Sequence, residues 1–121
     1  MVRSRAKGAA GERELAEALR GMGYTSRRTQ QYCGAAEGDS DVVAAELPSV
    51  HIECKRVERL NIEEAMQQAA RDAAKKDHIP SVWHRKNGGE WMVTIRLADL
   101  HRFAHAVHAS AKAKAFAEYP G

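Results

Sequence analysis

A central mixed β-sheet flanked by helices, in the order αβββαββα, is the α/β fold class this sequence predicts. Three observations predict it. Segments with helical apolar spacing stand at both ends and in the middle, short runs with period-two alternation lie between them, and 121 residues suffice for one modest core. With 6% aromatic residues, that core must lean on Leu, Ile, Val, Met and Ala. The expectation is one domain over residues 1–121, with a basic arm at 1–7 and an Ala/Lys-rich tail at 110–121.

The first helix is expected over residues 8–22, where Leu15, Leu19 and Met22 recur at spacings of four and three and Gly21 and Gly23 end it. At 100° per residue Glu12 falls in the middle of that apolar stripe, while Arg13, Glu14, Glu17 and Arg20 fall on the other side. A carboxylate on the core side needs a cation, a metal or a cavity, since an unpaired buried charge is costly or neutralises itself. The plain alternative is a first-turn Glu stabilised by the helix dipole and reaching water. Residues 24–31 read as a strand rich in Thr, Ser and Arg, followed by the glycine-containing loop CGAAEGDS. Residues 41–45 form a short apolar strand, and Leu47, Pro48 and Ser49 a turn. Over residues 50–55 the period is two: Val50, Ile52 and Cys54 share one face, and His51, Glu53 and Lys55 the other.

Asn61 caps a second helix running to about Lys76, with Ile62, Ala65, Met66, Ala69 and Ala73 on its inner face; Pro80 is expected to end that segment. Residues 81–85 and 91–95 are two further strands, joined by the hairpin-like Lys86-Asn87-Gly88-Gly89. Helical periodicity returns from Leu97 through Leu100, Phe103, Ala104 and Val107.

Composition narrows the function classes. No apolar run approaches the roughly 20 residues that span a bilayer, which argues against a membrane protein, and the N-terminus lacks the apolar stretch of a secretory signal. Cys33 and Cys54 are too few for a disulfide scaffold and make no paired CxxC zinc arrangement, so reduced thiols are expected. The 19 Lys+Arg against 16 Asp+Glu are unevenly spread: residues 1–28 carry seven Lys/Arg (Arg3, Arg5, Lys7, Arg13, Arg20, Arg27, Arg28) and three Glu. Such an electropositive end attracts an anionic polymer, because Lys and Arg gain affinity by displacing condensed counterions. A solvated surface is the alternative.

Chemistry concentrates at four positions: Glu12 on an inward helix face, Asp41 at the start of an apolar strand, and Glu53 with Lys55 on one strand face. Two adjacent antiparallel strands would bring Asp41 near Glu53. Carboxylates gathered so closely repel each other unless a divalent cation sits between them, and an oxygen-rich, hydrated site suits Mg2+ or Mn2+ better than Zn2+. Such a cation polarises a phosphodiester and acidifies water, while Lys55 orients that water and stabilises the charge of the transition state.

GDSDVV followed by HIECK resembles the PD-(D/E)xK nuclease signature, with Ser40 where the signature has proline. RAKGAAGERELAEALRGMGY resembles the opening helix of archaeal-type Holliday junction resolvases, and the order of four blocks is similar: ERE helix, Arg before a glycine loop, SD-apolar strand, IExK strand. The likeness runs over residues 3–100, weakens after Lys55, and is absent from the tail. It implies a restriction-endonuclease-like fold, with Glu12, Asp41, Glu53 and Lys55 as catalytic residues. Glu12, Asp41, Glu53 and the Cys54 carbonyl would ligate one or two Mg2+ or Mn2+ ions. Arg28 would contact DNA, and Arg3, Arg5, Lys7, Arg27 and Arg56 are further candidate DNA contacts. The implied activity is paired nicking of four-way DNA junctions by a twofold homodimer, in the cytoplasm of a prokaryote or encoded by its virus. The loop over residues 29–40 is longer than the compact archaeal version, and its Glu37 and Asp39 add acid where DNA should pass.

Other features carry less. His101, His105 and His108 line one side of the last helix, where a solvated or DNA-facing stripe is commoner than zinc ligation. His51 could shape the site or simply pack beside the sheet, and Gln67 or Gln68 offers a helix glutamine. Trp83 and Trp91 are expected in core packing on adjacent strands. The DSD run lacks the later ligands of an EF-hand, and the glycine loop lacks the Gly-Lys-Ser/Thr of a P-loop.

Overall fold

The computed structural model describes residues 2–29 and 40–118, with side chains described for 8–29 and 40–111. Helix α1 spans Val2–Gly21 and is followed by β1 (Ser26–Arg28), β2 (Val42–Ala44) and β3 (Val50–Arg56). Then come α2 (Ile62–Ala74), β4 (Ile79–Arg85), β5 (Met92–Ile95), a 3-10 turn at Leu97–Asp99 and α3 (Leu100–Glu118). Among the described residues five strands form one mixed sheet in the order β1-β2-β3-β4-β5, in which β3 and β4 pair in parallel and the other neighbours antiparallel. The predicted αβββαββα order is the observed one.

Alternation along β3 sorts the molecule into layers. Val50 and Ile52 pack with Leu15 and Leu19 of α1, Val42, Ile79 and Trp83, and Phe103 and Val107 of α3 lean on this cluster. On the other face Val82, level with Glu53 in the parallel register, packs under Ala65 and Ala69 of α2. The alanines at i, i+4 and i+8 (Ala65, Ala69, Ala73) are all buried, so α2 lies close on β3 and β4. Asn61 caps it by accepting from Glu64 N–H at 3.1 Å.

Several boundaries differ from the sequence reading. Helix α1 begins at Val2, so the basic arm is its first turns; the side chains of Arg3, Arg5 and Lys7 lie outside the described set. The predicted tail is helical as far as Glu118. Met22, expected on the inner stripe, is exposed because the helix has already ended at Gly21 and Gly23, at φ 99°, turns the chain. Pro80 does not end the helical segment; it is the second residue of β4. Ile79 N–H is spent on Ser49 C=O of the β3 side, so Pro80, facing the other way, lacks its N–H where β5 pairing has not begun. Leu97 and Leu100 are exposed rather than part of the helix's inner stripe. The loop residues Cys33, Glu37 and Asp39 lie outside the described residues.

Candidate active site

β2 and β3 separate just where the acids stand. Their register is Val42↔Ile52, and beyond it side chains replace the ladder: Ile52 N–H donates to Ser40 Oγ at 3.2 Å and Cys54 N–H to Asp41 Oδ2 at 2.9 Å. The Asp41 backbone is stitched to both neighbours, its N–H to Ile52 C=O and its C=O to Thr29 N–H. Asp41 is therefore held opposite Glu53, as the antiparallel geometry requires. Burial, then the charge of Glu53, pushes the Asp41 carboxyl up to about 7, against the opposing pull of the Cys54 N–H.

Glu53 is buried, and its two oxygens face different partners. Oε1 lies 3.1 Å from His51 Nε2, and Oε2 lies 3.9 Å from Lys55 Nζ. The Lys55 side chain is about one-third exposed and lines a cleft of about 250 Å³ with Arg59, Asn61 and Gln68 at the start of α2. Asp72 of α2 completes a second donor group: one ligand atom each from His51, Glu53 and Asp72 lie within 4.8 Å of one another.

Glu12 enters from the other layer. Gly11, buried just before it, sits so close to β3 that a Cβ there would come within 2.6 Å of Arg56 Cβ, and this contact sets α1 against the site. The inward placement of Glu12 has a cation to meet it: Arg28 donates from Nε and Nη2 to the same oxygen, Oε1, at 3.2 and 3.1 Å. Burial outweighs that partner and raises the Glu12 carboxyl, with a further push from Glu53. The Cys54 thiol registers the convergence: after burial, the charges of Asp41, Glu12, Glu53 and Glu14 all hold it far above its ordinary range. The acids of a helix and two strands thus meet around one strand position.

The structure keeps other expected residues apart from this point. Arg56 and Arg85 are both paired with Glu14 Oε1, Arg56 at 3.3 Å, so the Arg56 guanidinium bridges α1 and β3. Arg27 is exposed on the opposite sheet face from Arg28. His101, His105 and His108 are exposed on α3. Trp83 is buried, its Nε1–H donating to Ser81 Oγ at 2.8 Å. Missed by the sequence were the role of Gly11, the Glu12–Arg28 pair and Asp72. Only Gly11 left a trace, as a glycine inside a helix that nothing local requires.

Residues 3–118 match the family described as "Phage putative PDDEXK endonuclease". Among solved structures, the Holliday junction resolvase Hjc of the archaeal hyperthermophile Archaeoglobus fulgidus is similar at a TM-score of 0.54 and 21% identity, over 74% of this chain and 72% of that one. That likeness establishes a shared restriction-endonuclease-like fold. No curated protein sequence is significantly similar to the chain.

Proposed function

Because the chain belongs to the phage PDDEXK endonuclease family, we propose that it is a divalent-metal-dependent endodeoxyribonuclease that resolves four-way DNA junctions by paired, symmetric nicks. The observation that carries this reading is the meeting of Asp41, Glu53 and Glu12 beside the Lys55 ammonium where β2 and β3 separate. The donors fit a hard cation: they are carboxylate oxygens, and burial together with the charge of Glu53 raises Asp41 to about 7, a cost that a cation between the two carboxylates offsets. Asp41 and Glu53 would hold Mg2+ or Mn2+, with Glu12 and the Cys54 carbonyl as further ligands. When bound, the cation polarises the phosphodiester and acidifies water.

The chain's own groups do the rest. Lys55 orients the attacking water and stabilises negative charge developing on the phosphoryl oxygens, a task suited to a partly exposed ammonium lining a cleft. Arg28 neutralises one oxygen of Glu12 and limits repulsion when three acids stand together. The 1–28 segment, with its surplus of four positive charges, supplies sequence-independent attraction for the backbone. For junction specificity the support is the fold shared with the archaeal resolvase; for a homodimer it is the set of exposed apolar residues at one edge of the sheet, Met92 and Val93 of β5, Leu97 of the turn after it and Leu100 at the start of α3.

Labelled four-way junction, flap and linear duplex incubated with the protein and Mg2+ test the proposal. Paired symmetric nicks in the junction alone are expected. Cleavage of flap or duplex at equal rate makes it a PD-(D/E)xK nuclease of other targets; junction binding unaccompanied by cleavage makes it a DNA-binding module of the same fold.

A further inference from the structure

Glu53 is the most deeply buried carboxylate of the site, and its direction decides what it can ligate. On one side of it runs an ordered chain of hydrogen bonds. His51, 1% exposed, places Nε2 at 3.1 Å from Glu53 Oε1 and Nδ1 at 3.4 Å from Ser40 Oγ. Ser40 Oγ already accepts from Ile52 N–H, which leaves its own proton for Nδ1. A carboxylate only accepts, so the imidazole hydrogen sits on Nε2. Donors and acceptors then match throughout: Ile52 N–H to Ser40, Ser40 O–H to Nδ1, Nε2–H to Oε1.

We infer that the Ser40–His51 pair is the positioning device of the metal site, holding Oε1 of Glu53 so that Oε2 alone is offered beside Lys55. This rests on the nuclease reading above, since it requires Glu53 to be a ligand. The consequence is cation selectivity. A carboxylate tied by one oxygen ligates through the other only, which suits the near-octahedral, six-ligand shell of Mg2+ or Mn2+; Ca2+ takes more ligands and accepts bidentate carboxylates. Ser40 acts from the position just before Asp41, so one hydroxyl ties the direction of the β3 acid to the segment carrying the other. The neighbouring Asp72 is paired with Lys75 at 3.6 Å, and His51 meets Glu53 at hydrogen-bonding distance rather than across an ion.

Calorimetric titration of the full chain with Mn2+ and with Ca2+, alongside a melting curve for each variant, tests this without turnover. His51→Gln keeps an N–H donor at the reach of Nε2, whereas His51→Asn is equally polar and falls short of Glu53. His51→Asn should lose about 10–100-fold in Mn2+ affinity and most of the preference for Mn2+ over Ca2+, with His51→Gln close to the unaltered protein. Ser40→Ala should shift both quantities the same way by less, and serves if the histidine variants do not fold. Equal Mn2+ affinity in the Gln and Asn variants overturns the inference. So does nitrogen hyperfine coupling in the Mn2+ spin-resonance spectrum, because His51 would then be a ligand itself. If the unaltered protein binds no Mn2+, or Asp41→Asn binds it equally well, the nuclease site falls; loss in Asp41→Asn with none in His51→Asn sinks the positioning role alone.

Discussion

Two regions of the sheet, the β2–β3 junction and the β5 edge, break the inside-outside rule in opposite directions. Where β2 and β3 separate, charged and polar groups are buried: Glu53, His51 and Ser40, with Asp41 and Glu12 close by. At the β5 end, apolar groups are exposed: Met92, Val93 and Leu100, and Leu97 at 85%. Beside them lies an ordinary core of Leu15, Leu19, Val42, Ile52 and Trp83. Each anomaly costs an isolated domain something, desolvated charge in the first region and wetted hydrocarbon in the second. The first is what a metal-holding pocket requires, and the second what a self-association surface requires. Neither would accumulate in a chain optimised for stability alone.

The contrast can be broken most forcefully in the polar region. Asp41→Asn and Lys55→Ala should each slow single-turnover junction cleavage by about 10²-fold or more, with junction binding retained in a gel-shift assay. Gly11→Ala lies behind the same pocket. The added methyl has no room against Arg56 Cβ, so a loss of about 1–3 kcal/mol in urea unfolding is expected, together with reduced cleavage as α1 carries Glu12 outward. At the apolar end, Leu97→Glu combined with Val93→Glu should weaken self-association at least about tenfold, read by light scattering across a dilution series. An unchanged mass would show that this edge serves something other than a second copy.

Titration sharpens the difference further. Asp41 is about 7 in the folded, metal-free chain against 3.8 unfolded, so folding favours its neutral form. That contribution is whole below 3.8 and is lost as pH rises through about 7. The metal-free melting temperature should therefore fall across this window, and Asp41→Asn should flatten the fall. The smallest expected effect separates two arginines. Arg27→Ala should reduce the salt dependence of DNA binding by about one phosphate contact, whereas Arg56→Met, which loses the bond to Glu14, should lower stability and leave that slope unchanged.

Local pattern carried the sequence reading where contacts are local or periodic. The period of two over residues 50–55 put Glu53, His51 and Lys55 on one face, and the helix wheel picked out Glu12 as an acid on the wrong side. Met22 and Leu97 misled the same method, because a helix end depends on where the chain turns and apolar residues past it keep no phase. Pro80 misled it because a strand tolerates proline wherever its missing N–H faces no partner, which is a property of the neighbouring strand's length.

By itself, then, the sequence determined the element order, the faces of β3 and the identity of the acids, since these follow from spacing along one chain. Only the tertiary structure decided which partner answers each acid: Arg28 for Glu12, both Arg56 and Arg85 for Glu14, and the His51–Ser40 chain behind Glu53. Those partners lie on different elements, brought together by the register of β2 on β3 and the close approach at Gly11. Charges that meet through packing leave no periodic trace, because the distance between them is set by the layers and not by the number of residues between them.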